Sequence, residues 1–196
     1  MTYAKLNVNE VLQFGSDDDS VALAPVGTAL PASLDAELDK AFVEVGWINE
    51  DGMTFAPDDS VDKRKAHQGH RIYRTVMTDS STDFKFVALQ ANLQTLALQW
   101  HVKSSKKDAG GKFSTHVLSN ARTIDAYAIV VKAYANGHSY IWASSRFEVG
   151  ERDDYKISAT DDAATQVSGT FAADIVFITD DPAYEAAATP PAPPGP

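Results

Sequence analysis

The chain has 196 residues, of which 44% are hydrophobic, and its 27 acidic residues outnumber the 17 basic ones, giving a formal net charge of −10. This length suits one domain with a buried core, and the composition excludes global disorder. Cysteine is absent, which excludes disulfides, thiolate metal sites and cysteine nucleophiles. The excess of acidic residues argues against a protein that coats DNA through clustered lysine and arginine.

The longest apolar run, Ala126 to Val131, is too short to cross a membrane. Met1 to Glu10 lacks a signal-peptide pattern, so we expect the protein to be made and kept in the cytosol before any assembly step.

The first third of the chain is predicted to contain an arm, a helix and a loop. Residues 1–30 form the arm, although Val21 to Val26 fits a short strand. An amphipathic helix follows, because Ser33 fits an N-cap and apolar residues from Leu34 to Val45 recur at helical spacing before Gly46. Residues 49–59 are predicted to be a loop, and residues 61–67 a short helical turn.

From residue 71 the pattern becomes that of strands. Residues 71–78 and 84–90 are predicted as the two strands of a hairpin, with the polar segment 79–83 as its turn. Asn92 fits the N-cap of a second helix, whose apolar stripe runs from Leu93 to Trp100. The lysine-rich segment 103–112 is predicted to be a mobile basic loop.

The last third is predicted to supply three more strands. Residues 123–135 and 139–149 pair through a type I′ turn at Asn136-Gly137, and residues 165–178 form the final strand. The Ala- and Pro-rich segment 180–196 is predicted to be a disordered tail. The predicted fold is therefore mainly β, an antiparallel sandwich or partial barrel with about two packed helices, over residues 31–179.

No catalytic or cofactor-binding constellation emerges from the residues. His67 and His70 have a spacing that fits a metal, but Gly69 opposes the helix it needs, so we interpret them as structural. Asp153-Asp154 with Asp161-Asp162 is the one combination that fits calcium, and solvated turns explain it more simply. We expect no metal, no cofactor and no enzymatic activity. His101, His116 and His138 are interpreted as surface residues.

Two basic clusters stand out on this acidic chain. One is Lys63 to Lys65 with Arg71 and Arg74, and the other runs from Lys103 to Lys112. Neither is interleaved with the aromatic residues that a nucleic-acid stacking surface needs. They are as easily interpreted as docking sites for acidic patches on another copy of the chain.

One segment closely resembles a known family. Residues 41–54, with Gly46-Trp47-Ile48-Asn49-Glu50-Asp51-Gly52 at their centre, resemble the Val-Gly-Tyr/Trp-Ile-Ser-Glu-Asp-Gly segment of major tail tube proteins from siphophages of actinobacteria. Residues 24–31, 61–75, 83–86 and 93–100 are similar to further segments of that family in the same order. Asn49 stands where serine is usual, and Ala66-His67-Gln68 where Ala-Trp-Gln is common. The resemblance covers roughly residues 20–180.

The resemblance implies a structural virion protein that forms hexameric rings stacked into a tail tube for genome delivery. Its implied partners are other copies of itself, a tape measure protein, and tail terminator and distal tail proteins, with no membrane contact. If each of six subunits gives about four strands, spaced about 4.8 Å and tilted about 40°, the shared barrel is on the order of 45–50 Å across. DNA passes such a wall only if it does not bind, so we expect an acidic or small polar lumen. Lumen candidates are Asp83, Glu148 and Asp174.

The loops and basic clusters are the predicted contacts between copies. The assembly candidates are Asp51, Asp58, Lys63, Arg64, Lys103, Lys106, Lys107 and Lys112. Two alternatives stay open: another head or tail virion component, such as a terminator or decoration protein, or a carbohydrate-binding β sandwich. The second would need a row of exposed aromatics, and Trp47, Trp100 and Trp142 lie in three different sequence contexts.

Overall fold

The computed structural model describes residues 7–121 and 123–185 of the chain. Residues 1–6 of the predicted arm and 186–196 of the predicted tail lie outside them. The described residues form ten strands and one α-helix. In chain order these are β1 (Ser20–Pro25), β2 (Val43–Glu44), β3 (Ile48–Lys65), β4 (Ile72–Ala88), α1 (Leu93–Gln99), β5 (His101–Lys107), β6 (Ser114–Ser119), β7 (Asp125–Ala135), β8 (His138–Arg152), β9 (Thr165–Phe171) and β10 (Ile175–Thr179).

Eight strands make one antiparallel sheet, in the order β2-β1-β7-β8-β9-β4-β3, with β10 also paired to β8. The two ends of this path, β2 and β3, are separated by residues 45–47 alone. Four Cα–Cα steps from Glu44 to Ile48 span at most about 15 Å, so the sheet has to curl until its ends nearly meet. Within this link, the Val45 amide donates to the carbonyl oxygen of Val21 at 3.0 Å. The result is a partial barrel, as predicted.

The concave face of the curled sheet holds the main core. Phe84, Phe86 and Phe147 are its largest fully or nearly fully buried rings, and Leu98 of α1 packs against them from one end. Asn92 caps α1 by accepting from the Thr95 amide at 2.8 Å, as the sequence predicts. At the other end of α1, the buried Arg152 donates to the Leu98 carbonyl oxygen and to Asp125, the latter at 2.7 Å.

The helix predicted over residues 33–45 is absent. This segment crosses the convex face of the sheet, where Leu34 and Phe42 pack on a second cluster of Val130, Ile141 and Ala143. Val45, which the helical spacing placed on the same face, instead joins the main core, and Val43 lies in β2. The apolar residues of this segment pack on both sides of one sheet, whereas residues on one face of a helix would all pack on the same side.

Four further local predictions are wrong. Residues 49–59, predicted to be a loop, and residues 61–65 of the predicted helical turn 61–67 belong to β3, and residues 79–83 are not a turn but the middle of β4. Residues 103–112, predicted to be a mobile loop, form most of β5 and its connection to β6 in a separate two-stranded sheet. Pro57 is tolerated because β3 is the edge of the large sheet, where a missing amide costs no ladder bond.

The strands of the last third agree with the sequence. β7 and β8 pair through Asn136 and Gly137, which both have positive φ values, 52° and 88°, as a type I′ turn requires. The predicted last strand divides into β9 and β10, which continue along the same edge of β8 with an interruption at residues 172–174. The short strand allowed for within the arm is β1, whose residues 21–24 are buried.

Gly169 in β9 gives a test of this packing. A Cβ built on it would lie 2.4 Å from the Glu148 carbonyl oxygen and 2.6 Å from the Phe147 ring, whereas one on Gly150 of β8 meets nothing within 4 Å. We expect Gly169→Ala to destabilise the monomer by about 1–3 kcal/mol through overpacking. Gly150→Ala, the matched control, should change stability by less than about 0.5 kcal/mol. Urea unfolding of both variants measures this, and equal midpoints would contradict the described packing.

Candidate assembly surfaces

The long β3–β4 hairpin divides into a supported half and a projecting half. Near its base, residues 83–88 of β4 pair with β9 and contribute the buried rings of Phe84 and Phe86. Among the described residues, the part of β3 beyond residue 57 and the part of β4 before residue 83 pair only with each other. Residues 57–65 and 72–80 are almost all exposed. We call residues 57–82 the ribbon, and its end, residues 61–77, the ribbon tip.

The ribbon is poorly stabilised within a single chain. An isolated two-stranded hairpin is marginally stable in water, and it gains stability from packing on another surface. The ribbon tip nevertheless exposes Val61, Ile72, Tyr73 and Met77, with 49–66% of each accessible. Exposed apolar side chains on an otherwise unsupported ribbon are typical of a surface that binds another molecule.

Four of the assembly candidates lie along β3. Asp51 is at the base of the hairpin, Asp58 lies on the ribbon, and Lys63 and Arg64 are at its tip. Arg64 lies directly opposite Arg74 in the cross-strand register, while Asp62 lies 3.6 Å from Arg64. These four residues therefore share a strand but do not form one cluster.

The other four candidates belong to the β5–β6 hairpin. Lys103, Lys106 and Lys107 are exposed on β5, and Lys112 lies in the connection to β6. In that connection Asp108 accepts from the amides of Phe113 and Gly110, at 2.9 and 3.1 Å, and the Phe113 bond is the main cause that lowers the pKa of its carboxyl. This segment, predicted to be mobile, is thus an ordered second ribbon.

Two of the three lumen candidates share one row of the sheet. Thr170 of β9 lies directly between Asp83 of β4 and Glu148 of β8, and its hydroxyl donates to Asp83 at 2.6 Å. Glu148 accepts from Arg146 at 2.6 Å. Asp174 is exposed, in the link between β9 and β10.

This row belongs to a four-stranded face that the sequence does not reveal. Strand alternation puts these residues opposite the buried Phe84 and Phe147, on the convex side of β3, β4, β9 and β8. The registers align two rows across it, Ala56-Asp83-Thr170-Glu148 and Thr54-Lys85-Ser168-Glu151. We call these eight residues the polar face. Its side chains are small or acidic except for Lys85, and the polar alternation in Thr165 to Thr170 is the sequence signal that could have located it.

The residues tested for metal chemistry do not come together. Among the described residues, no three histidine, aspartate or glutamate side chains form a group that could hold a metal ion. His67 and His70 lie within the exposed ribbon turn, and Asp153, Asp154, Asp161 and Asp162 are exposed in the β8–β9 loop. The other three histidines are partly exposed, and each lies beside a polar side chain: Asp125 for His101, Ser105 for His116 and Asp180 for His138. Nor does any helix within the described ranges have the length and apolar character to span a bilayer.

Both terminal segments are fastened to the β7–β8 turn. Tyr140 donates to Asp181 at 2.6 Å, and the Ser139 amide donates to Asp180 at 2.8 Å. On the N-terminal side, the Tyr134 amide donates to Asp19 at 2.8 Å. Phe14 and Tyr184 then pack edge-on against the Tyr140 ring from the two segments. The two ends of the described chain therefore leave from the same end of the barrel.

The Tyr140–Asp181 bond makes stability depend on pH. Burial raises the pKa of the Tyr140 hydroxyl, with the Asp181 bond as a second cause, and that bond in turn lowers the pKa of the Asp181 carboxyl. A lowered carboxyl pKa contributes stability above the unfolded value near 4, which is lost as pH falls through the folded pKa. A raised tyrosine pKa contributes stability below about pH 10, which is lost as pH rises further.

We therefore expect Tyr140→Phe to lower stability at neutral pH and to flatten its pH dependence on the acid side. The gap between the wild type and the variant should begin to narrow below about pH 4 and should close as pH falls through the lowered folded pKa of Asp181. Urea midpoints measured from pH 2 to 8 check this. Tyr184→Phe, which removes a hydroxyl from an exposed ring of the same cluster, is the control and should leave the profile unchanged. A constant gap across the range would show that the hydroxyl acts independently of the carboxylate.

Comparison with known proteins gives one family and two solved structures. The family model described as phage tail tube protein matches residues 6–188. A chain from the tail of an empty gene transfer agent particle, solved by helical refinement with C6 symmetry, is 10% identical with a TM-score of 0.45, over 83% of this chain and 97% of that chain. A chain from the virion of a native gene transfer agent particle is 9% identical with a TM-score of 0.44, over the same shares. No curated protein matches the chain.

Proposed function

Because the chain belongs to the phage tail tube protein family, we propose that its copies close into hexameric rings that stack into a hollow conduit for DNA. Family membership makes the protein a structural component of a virion tail. The hexamer, the lumen surface and the contacts between rings are the proposal. We further propose that the protein has no catalytic role of its own.

The polar face is the observation that carries this proposal. It spans four adjacent strands, the number per subunit that gives a six-subunit barrel on the order of 45–50 Å across. Side chains narrow the channel to roughly 35–40 Å, which leaves room for a DNA duplex of about 20 Å. Apart from Lys85 the side chains of the face are small or acidic, and Glu148 is paired with Arg146, so the face would offer phosphate few free donors and DNA could slide without binding. We place Asp83 and Glu148 in the lumen on this basis, and Asp174 near its rim.

Ring closure would also use the open edges of the sheet. No described strand pairs with the outer edge of β3, and β2, at the opposite end of the strand path, covers only two residues of β1. Unpaired strand edges pair readily with other chains, and closing a barrel removes them. Within such rings the ribbon and the β5–β6 hairpin remain free for contacts between copies. Residues 1–19, the part of the predicted N-terminal arm that precedes β1, are proposed as a further contact between copies.

The other partners follow the same proposal. A tape measure protein would occupy the lumen during assembly, and terminator and distal tail proteins would close the two ends of the tube. DNA would pass without specific binding.

Electron microscopy of the purified protein at high concentration tests the function directly. We expect tubes or stacked rings with sixfold symmetry. Isolated rings that do not stack would favour a tail terminator, and monomers at every concentration would contradict the proposal. Sedimentation of the same samples measures the fraction assembled.

The lumen assignment predicts the behaviour of a charge-reversed wall. Asp83→Lys combined with Glu148→Lys should still form tubes, but these should retain a short DNA duplex at low salt because the wall becomes basic. Asp35→Lys with Glu37→Lys makes the same charge change on exposed residues outside the polar face, and it is the matched control. Cosedimentation of labelled duplex with tubes measures the difference. Equal retention by both variants would contradict the assignment, and so would a lumen variant that folds without assembling.

A further inference from the structure

The ribbon tip carries an uncompensated positive charge. Residues 61–77 include five basic residues and one acidic residue, Asp62. Arg64 and Arg74 lie directly opposite each other across the two strands, an arrangement that is destabilising for like charges. Asp62 lies 3.6 Å from Arg64, but both side chains are more than half exposed, so this pair contributes little. An anionic partner outside the ribbon would therefore stabilise the tip.

A matching surface lies between the β8–β9 loop and the ends of β4 and β9. It is a groove of about 490 Å³ lined by Asp153, Asp154 and Asp162, with Lys156 as the one exposed basic residue. Arg152 also lines the groove, but its side chain is 4% exposed and paired with Asp125. The net charge that this groove presents to solvent is thus negative.

An apolar pocket adjoins the acidic groove across the same loop. It also measures about 490 Å³, and Leu93, Leu96, Trp100 and Tyr155 are among the residues that line it. The ribbon tip also has an apolar surface. Strand pairing places Val61 directly opposite Met77, and strand alternation puts this pair on the opposite face of the ribbon from the Arg64–Arg74 pair. The tip and the loop region therefore each combine a charged surface with an apolar one.

The two surfaces cannot meet within one chain. Both adjoin β4, with Arg74 near its first residue and Val87, which lines the groove, near its last. Thirteen residues of extended strand separate these positions by on the order of 40 Å. A contact between different patches at opposite ends of a subunit is heterologous, and it continues in one direction as an open stack unless the rotation between copies closes it into a ring.

We propose that the ribbon tip of one copy docks in the acidic groove of a second copy, where Asp153, Asp154 and Asp162 neutralise Arg64 and Arg74. This inference rests on the proposed function, since it names the contact that joins one ring to the next. A second copy fits better than DNA, the other common polyanion. Asp58, Asp59 and Asp79 lie on the same ribbon behind the tip and would repel a continuous phosphate backbone, whereas a bounded cluster of carboxylates contacts the tip alone.

Charge reversal on each side tests the contact. We expect Arg64→Glu with Arg74→Glu, and separately Asp153→Arg with Asp154→Arg, each to raise the protein concentration needed for tube formation by about tenfold or more. Combining all four substitutions in one chain restores opposite charges and should return that concentration to within about threefold of wild type. Asp35→Arg with Glu37→Arg is the control and should assemble normally. Sedimentation and negative-stain microscopy give the readout, and urea midpoints confirm that each monomer is folded.

The outcomes distinguish a failure of this inference from a failure of the proposed function. If the wild type forms no tubes or stacks under any condition, the proposed function fails. Suppose that the wild type assembles, but that either charge reversal leaves assembly unchanged or the combined variant does not regain it. The docking contact is then wrong, while the proposed tube still stands. A wild-type tip that binds a short DNA duplex, lost in the Arg64→Glu/Arg74→Glu variant while tubes form normally, would identify nucleic acid as its partner and overturn the inference.

Discussion

Six residue pairs join β4 to β9, from Asp83–Thr170 to Ala88–Thr165, and most features of this molecule depend on where that pairing begins and ends. Along the paired length, the buried rings of Phe84 and Phe86 hold β4 in the barrel wall. Beyond Asp83 no third strand supports the β3–β4 hairpin, so the ribbon begins there. At the opposite end, Val87 and Gln166 line the acidic groove. The β4–β9 pairing thus determines which part of β4 belongs to the barrel wall, where the ribbon begins and where the acidic groove lies.

The wall separates two kinds of chemistry by strand alternation. Its concave side is apolar and closes over the core, and its convex side carries the small and acidic residues of the polar face. In the proposed tube the polar face would line the passage for DNA, and the apolar side of the same strands would hold it rigid. The net charge of −10 therefore matters through its placement, and the basic residues gather mainly on the two hairpin ribbons.

How far the sequence predicted this structure varied with how local each signal was. Asn136-Gly137, the cap at Asn92 and the apolar run of β7 are decided by neighbouring residues, and all three were confirmed. The stripe from Leu34 to Val45 was misleading, because its residues pack on opposite sides of a sheet whose other strands lie far away in sequence. The ribbon was missed for a similar reason, since the turn-forming residues 79–83 are held extended by β3 and, at Asp83, by β9. The residues themselves excluded much chemistry and identified two basic clusters, while the family came from residues 46–52. The polar face and the acidic groove depend on cross-strand register, and although the alternation in Thr165 to Thr170 indicates one strand of the face, no local pattern indicates which strands lie beside it.

A cryo-electron microscopy reconstruction of the assembled tube tests the central claim most directly, because it shows which strand faces line the channel. The account predicts a sixfold wall whose inner surface is formed by β3, β4, β9 and β8, with the row Ala56-Asp83-Thr170-Glu148 facing the lumen. A channel lined chiefly by lysine and arginine, or one with the polar face turned to the outside, would contradict it.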